Sequence, residues 1–560
     1  MMAKPGRFVL ALCLGLLVLS IVVAGCQYPQ PDQPTPPSPT EKPERPTIPP
    51  GELPPFDPDG ERCITLKAGQ SGGQTTSRGH YVNQQVIVSG PRAEIDRLIA
   101  ELDVSLQPMA VCYLYYPSPK SYVRRDTMRP GERSGWAEPP PWSNIQDKVE
   151  TRLYFIDGDS ESEQPEVVVK RINELGQSVV FADPNYLVGP QGASPCGNPF
   201  EMEGSPFEME GSPFEMEGSG QGGPGSVSDE TTFWNQWAFK TARAGRVYSQ
   251  EWRQPELAAI RVGVFDTSPF SSAGQTRVKA DSASFALTVH DVPILNRLEP
   301  APGSPGGDAS EHGTMVAGLV NAVAPVTDIH LYPVLNKYGC GDLFSLIVAL
   351  NGFVDSVVEN KGQGRAVANL SLGVHQPRNV EKYRVPAEVV SLEEAVSRVY
   401  NNDIVVVAAA GNSSAEIEGD GEAASPDLPA DFPYVVGVSA SNIYTKPSCY
   451  SNRGDVAAPG GDGQLTPSES CLPRSADCDP ADTQCPFGVI STVSENGGGL
   501  RFWVGSSFSA PIVSGQAARL LQEGVNPADV GQELAESGSH YGSPDPVLGS
   551  GVTNHDGSLP

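Results

Sequence analysis

The chain has 560 residues, and its 38 Lys+Arg against 67 Asp+Glu leave a net charge of −29. Polyanionic nucleic acid is bound through basic patches that release counterions, so this balance argues against nucleic acid as a partner. Gly and Pro make up about a fifth of the chain, against roughly 12% in average usage. Hydrophobic residues make up 39%, so part of the chain is linker while the rest can bury a core.

The first element in chain order is a targeting segment. Lys4 and Arg7 precede an uncharged apolar run from Phe8 to Ala24, which closes in Val23-Ala24-Gly25-Cys26. A basic start, a short apolar stretch and small residues before a cut site describe a secretory signal. The tetrapeptide resembles the lipobox of bacterial lipoproteins. That resemblance implies a signal peptide at 1–25, lipidation of Cys26, and attachment to a membrane without spanning it. The alternative is a short transmembrane helix, because the run sits at the lower limit for spanning. An extracytoplasmic compartment makes disulfides the default for the Cys beyond Cys13 and Cys26. No CxxC pair occurs, and Cys471, Cys478 and Cys485 lack zinc-ligand spacing, so no metal site is expected.

Residues 26–80 read as a tether, since proline is the commonest residue from Pro29 to Pro58 and favours extended polyproline II. Residues 81–188 read as a small α+β unit. Val82–Ser89 is strand-like, and Pro91–Leu102 carries Ile95, Leu98, Ile99 and Leu102 at helical spacing. A strand at Arg152–Ile156 and a helix at Pro165–Leu175 follow, and Ser178–Tyr186 closes the unit on Asp183-Pro184-Asn185-Tyr186. That ending resembles the tail of subtilase propeptides, in which a strand leads into the protease cleft. It implies a ferredoxin-like propeptide domain that acts as an intramolecular inhibitor. From the residues alone, an unrelated ferredoxin-like binding domain stays open. Residues 189–232 then form an acidic, Gly-rich spacer in which Pro-Phe-Glu-Met-Glu-Gly occurs three times between Pro199 and Gly218. A seven-residue period with Pro and Gly in every copy is too short for a solenoid unit.

From 233 to 560, bounded apolar runs at Ile260–Phe265, Ile329–Val334, Ala366–Leu370, Ile404–Ala409 and Val435–Val438 suit strands buried on both faces. Helix patterns at Leu343–Glu359 and Leu392–Asn401 lie between them. This alternation predicts an α/β fold with a doubly wound parallel sheet and flanking helices, whose sites form at carboxyl ends of strands. The region remains acidic, with 20 Lys+Arg against 36 Asp+Glu.

Three segments stand at those ends. Asp266 follows Arg261–Phe265, His312 opens His-Gly-Thr-Met-Val-Ala-Gly318, and Ser507 lies in Gly505-Ser-Ser-Phe-Ser-Ala-Pro511 at the start of a helical run to Gln522. A serine hydroxyl becomes a nucleophile when an imidazole takes its proton and a carboxylate orients that imidazole. Taken singly, the three residues read equally well as a turn Asp, a hydrogen-bonded His and a helix-capping Ser.

Together they resemble the subtilisin-like serine proteases. The order Asp, His, Ser excludes that of α/β-hydrolases. The resemblance also rests on Ala408-Ala-Ala-Gly-Asn412, Asn369-Leu-Ser-Leu-Gly373, Asp455-Val-Ala-Ala-Pro-Gly460 and Gln236-Trp237. It implies a serine endopeptidase made as an autoprocessed zymogen, with Asp266, His312 and Ser507 catalytic and Asn412 completing the oxyanion hole. Ser371, Leu372 and Gly373, with Ala409, Ala410 and Gly411, would line the substrate. Polypeptides would be the substrates, the protein would be a monomer, and catalysis would need no cofactor. A catalytically dead surface-binding lipoprotein of the same fold is the rival reading.

Departures from the family pattern are also visible. Ser506 replaces the usual Thr, and Ser268-Pro269 stands where the family has Gly two residues after the Asp. Only Leu319–Pro325 occupies the place where many subtilisins carry a calcium-binding loop, so that site is expected to be missing; a structural calcium elsewhere stays open, with no site assignable. Ser413–Pro429 and Gly461–Phe487 look like insertions. The first carries Glu416, Glu418, Asp420, Glu422 and Asp427, which suits either basic substrate residues or a solvated acidic loop.

Overall fold

The computed structural model describes residues 63–65, 77–78, 81–114, 149–158, 160–176, 179–189, 236–241, 260–280, 283–292, 309–325, 327–359, 365–374, 389–414, 423–461, 463–465, 471–473, 488–494, 500–540 and 544–553. The expected signal peptide, Cys26, the 189–232 repeats (save Gly189), Glu416–Glu422 and most of the second insertion lie outside the described residues. The chain divides into Met1–Thr47, which falls wholly outside them, and Ile48–Pro560. Among the described residues, no helix is long and apolar enough to cross a membrane.

The N-terminal part of the second unit is built from β1 (Tyr81–Pro91), α1 (Arg92–Glu101), β2 (Leu106–Leu114), β3 (Val149–Ile156), α2 (Pro165–Gly176) and β4 (Phe181–Gly189). The strands form an antiparallel sheet in the order β2-β3-β1-β4. Strand alternation sorts the side chains onto two faces. Val86, Val88, Tyr154 and Ile156 pack under Ile95 and Leu98 of α1 and Val168 and Ile172 of α2. Ile87, Ala110 and Leu153 point the other way and join the core of the following part. Strand Cys63–Thr65 pairs with β2, so the sheet reaches back into the segment read as tether.

The larger sheet has the order β12-β11-β10-β9-β5-β8-β7-β6. Its members are β5 (Arg261–Asp266), β6 (Gly274–Ala280), β7 (Ala283–Val289), β8 (Asp328–Pro333), β9 (Ala366–Leu370), β10 (Ile404–Ala409), β11 (Val436–Ser441) and β12 (Val456–Pro459). All neighbours are parallel except the edge pair β6–β7. Val262, Val264, Val405 and Val407 face one layer, formed by α3 (His312–Val323) and α6 (Ser506–Gln522). Phe265, Ile404, Val406 and Ala408 face the other, formed by α4 (Leu343–Glu359) and α5 (Val390–Asn401). Each such buried Val or Ile contributes about 1.5–3 kcal/mol, which is why these strands read as unbroken apolar runs. The predicted strands and helices fall within a few residues of these elements.

Strands β2, β6, β7 and β12 are not among the elements expected from the sequence. In β7, Phe285, Leu287 and Val289 are buried while Ala286 is exposed and Thr288 half-buried. Such a half-buried edge strand alternates with period 2, so it lacks the continuous run that marks a central strand.

Candidate active site

Asp266 ends β5, and its carboxylate faces the first residue of α3. Both oxygens, Oδ1 at 2.8 Å and Oδ2 at 2.9 Å, contact His312 Nδ1. The pair is sealed from solvent, with Asp266 at 0% and His312 at 2% exposure. The Thr267 backbone N–H donates to Asp266 Oδ1 at 2.7 Å, and the Gly313 N–H donates to Thr267 Oγ1 at 3.1 Å. The close approach explains the glycine after His312: a Cβ at Gly313 would lie 2.2 Å from the Thr267 carbonyl oxygen. Trp503 meets the imidazole edge-on at 5.2 Å and Phe508 packs at 5.1 Å. Those rings hold the imidazole in one orientation and exclude water.

Ser507 lies in the first turn of α6, whose positive dipole end favours developing negative charge. Its hydroxyl donates to the Ser371 carbonyl at 3.2 Å; among the described residues this, and not His312, is its partner. The Ser507 carbonyl accepts from Ser371 Oγ at 2.8 Å, and Ser371 Oγ accepts from Asn369 Nδ2 at 3.0 Å. Asn412 reaches the same turn, where its Oδ1 accepts the Ser506 N–H at 2.9 Å. Ser506 Oγ accepts the Gly411 N–H at 3.2 Å, a bond that needs only a hydroxyl and is kept by Ser where the family has Thr.

Ser371 and Gly373 follow β9, and the chain's own strand β4 pairs with the segment beginning at Gly373. The last residues of β4 lie between two short segments of the larger part. Gly189 stands opposite Gly373 and Val188 opposite Val374 on one side. Val188 and Leu187 stand opposite Gly341 and Asp342 on the other. Of the residues expected to line substrate, Ser371 and Gly373 thus meet β4 or Ser507 directly, and Leu372 is buried in the core. Ala409, Ala410 and Gly411 are fully buried or nearly so behind Asn412.

Two side chains of β4 that had no assigned role anchor it. Asp183 Oδ2 accepts the Ser391 N–H at 2.8 Å and Ser391 Oγ–H at 2.6 Å, at the start of α5. Asn185 Oδ1 accepts the Phe344 N–H at 3.0 Å at the start of α4, and its Nδ2 donates to Asp342 Oδ1 at 3.1 Å. Orphan N–H groups at helix starts need such acceptors, and here the N-terminal part supplies them. The only sequence signal was the Asp-x-Asn spacing, which places both side chains on one face of a strand.

Burial pushes Asp183 up from an ordinary 3.8 to about 6, against the opposing pull of the Ser391 donors. A carboxyl whose pKa is raised on docking takes up a proton as it docks. Its contribution is therefore complete below the ordinary value and is lost as pH rises towards 6. Protection of the Leu187–Gly189 amides against hydrogen exchange, corrected for intrinsic rates, is expected to fall by about 10²-fold over that window. In Asp183→Asn the same amides should show a flat profile; an unchanged slope would remove Asp183 as the source.

Residues 291–537 match the model of the Subtilase family. The matched segment contains His312, Asn412 and Ser507 and begins after Asp266, whose place rests on the geometry above. The chain is 27% identical over 243 residues to the "Thermophilic serine proteinase" of Bacillus sp. (strain AK1), covering 41% of this chain and 47% of that protein. It is 27% identical over 298 residues to the "Subtilisin" of Bacillus pumilus, covering 51% of this chain and 85% of that protein. The chain spans about half the length of the curated relatives it matches first. A solved structure titled "Crystal Structure of a Lanthipeptide Protease" aligns with 24% identity and a TM-score of 0.39, covering 58% of this chain and 92% of that one.

The acidic loop is described only in part. Asp427 lies against the turn that carries Asn412, where a Cβ at Gly411 would stand 2.3 Å from Asp427 Oδ2. Among the described residues, no group of three or more His, Cys, Asp or Glu converges as a metal site would require.

Proposed function

We propose that the protein is a subtilisin-like serine endopeptidase made as a zymogen, with Asp266, His312 and Ser507 as its triad. The observation that carries this reading is the buried two-oxygen grip of Asp266 on His312 Nδ1, beside a serine at a helix start. The carboxylate holds the imidazole with Nε2 as proton acceptor and stabilises the imidazolium that forms. Ser507 Oγ exchanges its bond to the Ser371 carbonyl for one to His312, attacks the peptide carbonyl, and passes its proton to Nε2. The same proton then goes to the leaving amine, and water repeats the sequence to free the acyl group. Asn412 Nδ2 and the Ser507 N–H receive the oxyanion.

The N-terminal part is read as a ferredoxin-like propeptide that inhibits by occupying the cleft. Its β-α-β-β-α-β order and the seating of β4 against Gly373 support this, as does the capping of two helices by Asp183 and Asn185. The sequence supports secretion and anchoring through a lipid on Cys26, with polypeptides as substrates. Incubation of the processed protein with a fluorophosphonate probe is expected to yield one adduct, mapped to Ser507 by peptide mass spectrometry. Absence of an adduct would sink the enzymatic reading in favour of a surface-binding protein of the same fold.

A further inference from the structure

The turn Ala410–Ser414 has to present the Asn412 amide at a set point, yet Asn412 makes only part of its own support. Further support comes from a residue 40 positions later in the chain. Asn452 is fully buried, just before β12. Its Nδ2 donates to the Ala410 carbonyl at 3.2 Å and to Asp427 Oδ2 at 3.3 Å. Its Oδ1 accepts the Ser413 N–H at 2.9 Å, Ser413 Oγ–H at 3.1 Å and Ser414 Oγ–H at 3.2 Å. Its backbone N–H donates to the Gly411 carbonyl at 2.9 Å. One side chain therefore ties the residues on both sides of Asn412.

The turn cannot hold this shape alone. Gly411 has φ +115°, a conformation that L side chains rarely adopt, and a Cβ there would fall 2.2 Å from Asn452 Nδ2. Glycine admits both the backbone angle and the close approach, but it also leaves the turn free to relax. A buried amide whose donors and acceptor are all used is a rigid strut, and preorganised donors are what an oxyanion hole requires. Asp427 extends the strut, since its own N–H donates to the Ala410 carbonyl at 2.8 Å.

We infer that Asn452 is a positioning residue for the oxyanion hole, acting on catalysis through the turn that carries Asn412. This rests on the reading of Asn412 as an oxyanion donor. The hydrogen bonds of the Asn452 side chain go to Ala410, Ser413, Ser414 and Asp427, and none goes to Ser507 or β4; its effect passes through Ala410, Ser413 and Ser414.

The test is a double-mutant cycle on the processed protein, assayed with the best tetrapeptide p-nitroanilide from a panel of P1 residues. Asn452→Ala is expected to lower kcat by about 10-fold or more with KM changed less than about twofold. In an Asn412→Leu background the same substitution should lower kcat less than about twofold, because the donor it positions is already gone. Equal losses in both backgrounds, or a loss expressed in KM, would overturn the inference. Should Asn452→Ala not accumulate as folded protein, Asn452→Ser carries the same cycle with the same expectations. Failure of the underlying reading looks different. In that case Asn412→Leu alone leaves kcat unchanged, or wild type turns over no substrate and takes no fluorophosphonate.

Discussion

Ser507→Ala is expected to accumulate as one full-length, membrane-bound chain, while wild type appears as a shorter, soluble catalytic fragment. The substitution removes the proposed nucleophile and leaves the Asp266–His312 pair intact, so turnover should fall by about 10⁶-fold. The expected position of the cut comes from carrying the register of the Gly189–Gly373 pair forward along the sequence. Gly189 stands opposite Gly373, and two residues back along that segment the Ser371 carbonyl takes the Ser507 hydroxyl. Counting two residues forward from Gly189 reaches Gln191, so Gly192 is the expected new N-terminus of the wild-type fragment. Edman or mass-spectrometric N-terminal sequencing reads this directly. The lipid expected on Cys26 lies on the other side of that cut, so processing would also release the catalytic part. If Ser507→Ala were cut and shed like wild type, another protease would be responsible.

Asn412→Leu should lower kcat by about 10²–10³, on the order of 3–4 kcal/mol, with KM nearly unchanged. Leucine keeps the size of the side chain but cannot donate to the oxyanion. A donor that binds the charged intermediate more strongly than the ground-state carbonyl acts on kcat and spares KM. Leucine also forfeits the bond from the Ser506 N–H, so a thermal melt belongs with the kinetics. A variant that melts like wild type and loses less than tenfold in kcat would remove Asn412 from the oxyanion hole.

The parts of the site that were legible in the sequence are those whose chemistry is concentrated in short runs. Asp266 ends an apolar strand run, His312 opens a Gly-rich helix start, and Ser507 sits between Gly505 and Pro511. Each run carries both a reactive side chain and the local turn that displays it. Asn452 illustrates the opposite case. Its Ser-Asn-Arg-Gly setting reads as an ordinary turn, and only the fold brings it under Ala410 and Ser413. Asp183 and Asn185 were visible as part of a strand ending, but their partners lie 208 and 159 residues away.

What the sequence by itself determined was the periodic frame and the inventory of reactive groups. Buried strands must be apolar on both faces and amphipathic helices on one, so burial writes these elements into local composition. Tertiary structure alone decided which groups meet. It set β4 between Gly341–Asp342 and Gly373–Val374, placed two of its side chains on helix starts, and hung the Asn412 turn on Asn452. Those contacts close long loops of chain, and a hydrogen-bonding residue carries no local mark of a partner that arrives only when the loop is closed. The segment 26–80 reads as a tether from composition alone, while the strand Cys63–Thr65 within it was found only by its pairing with β2.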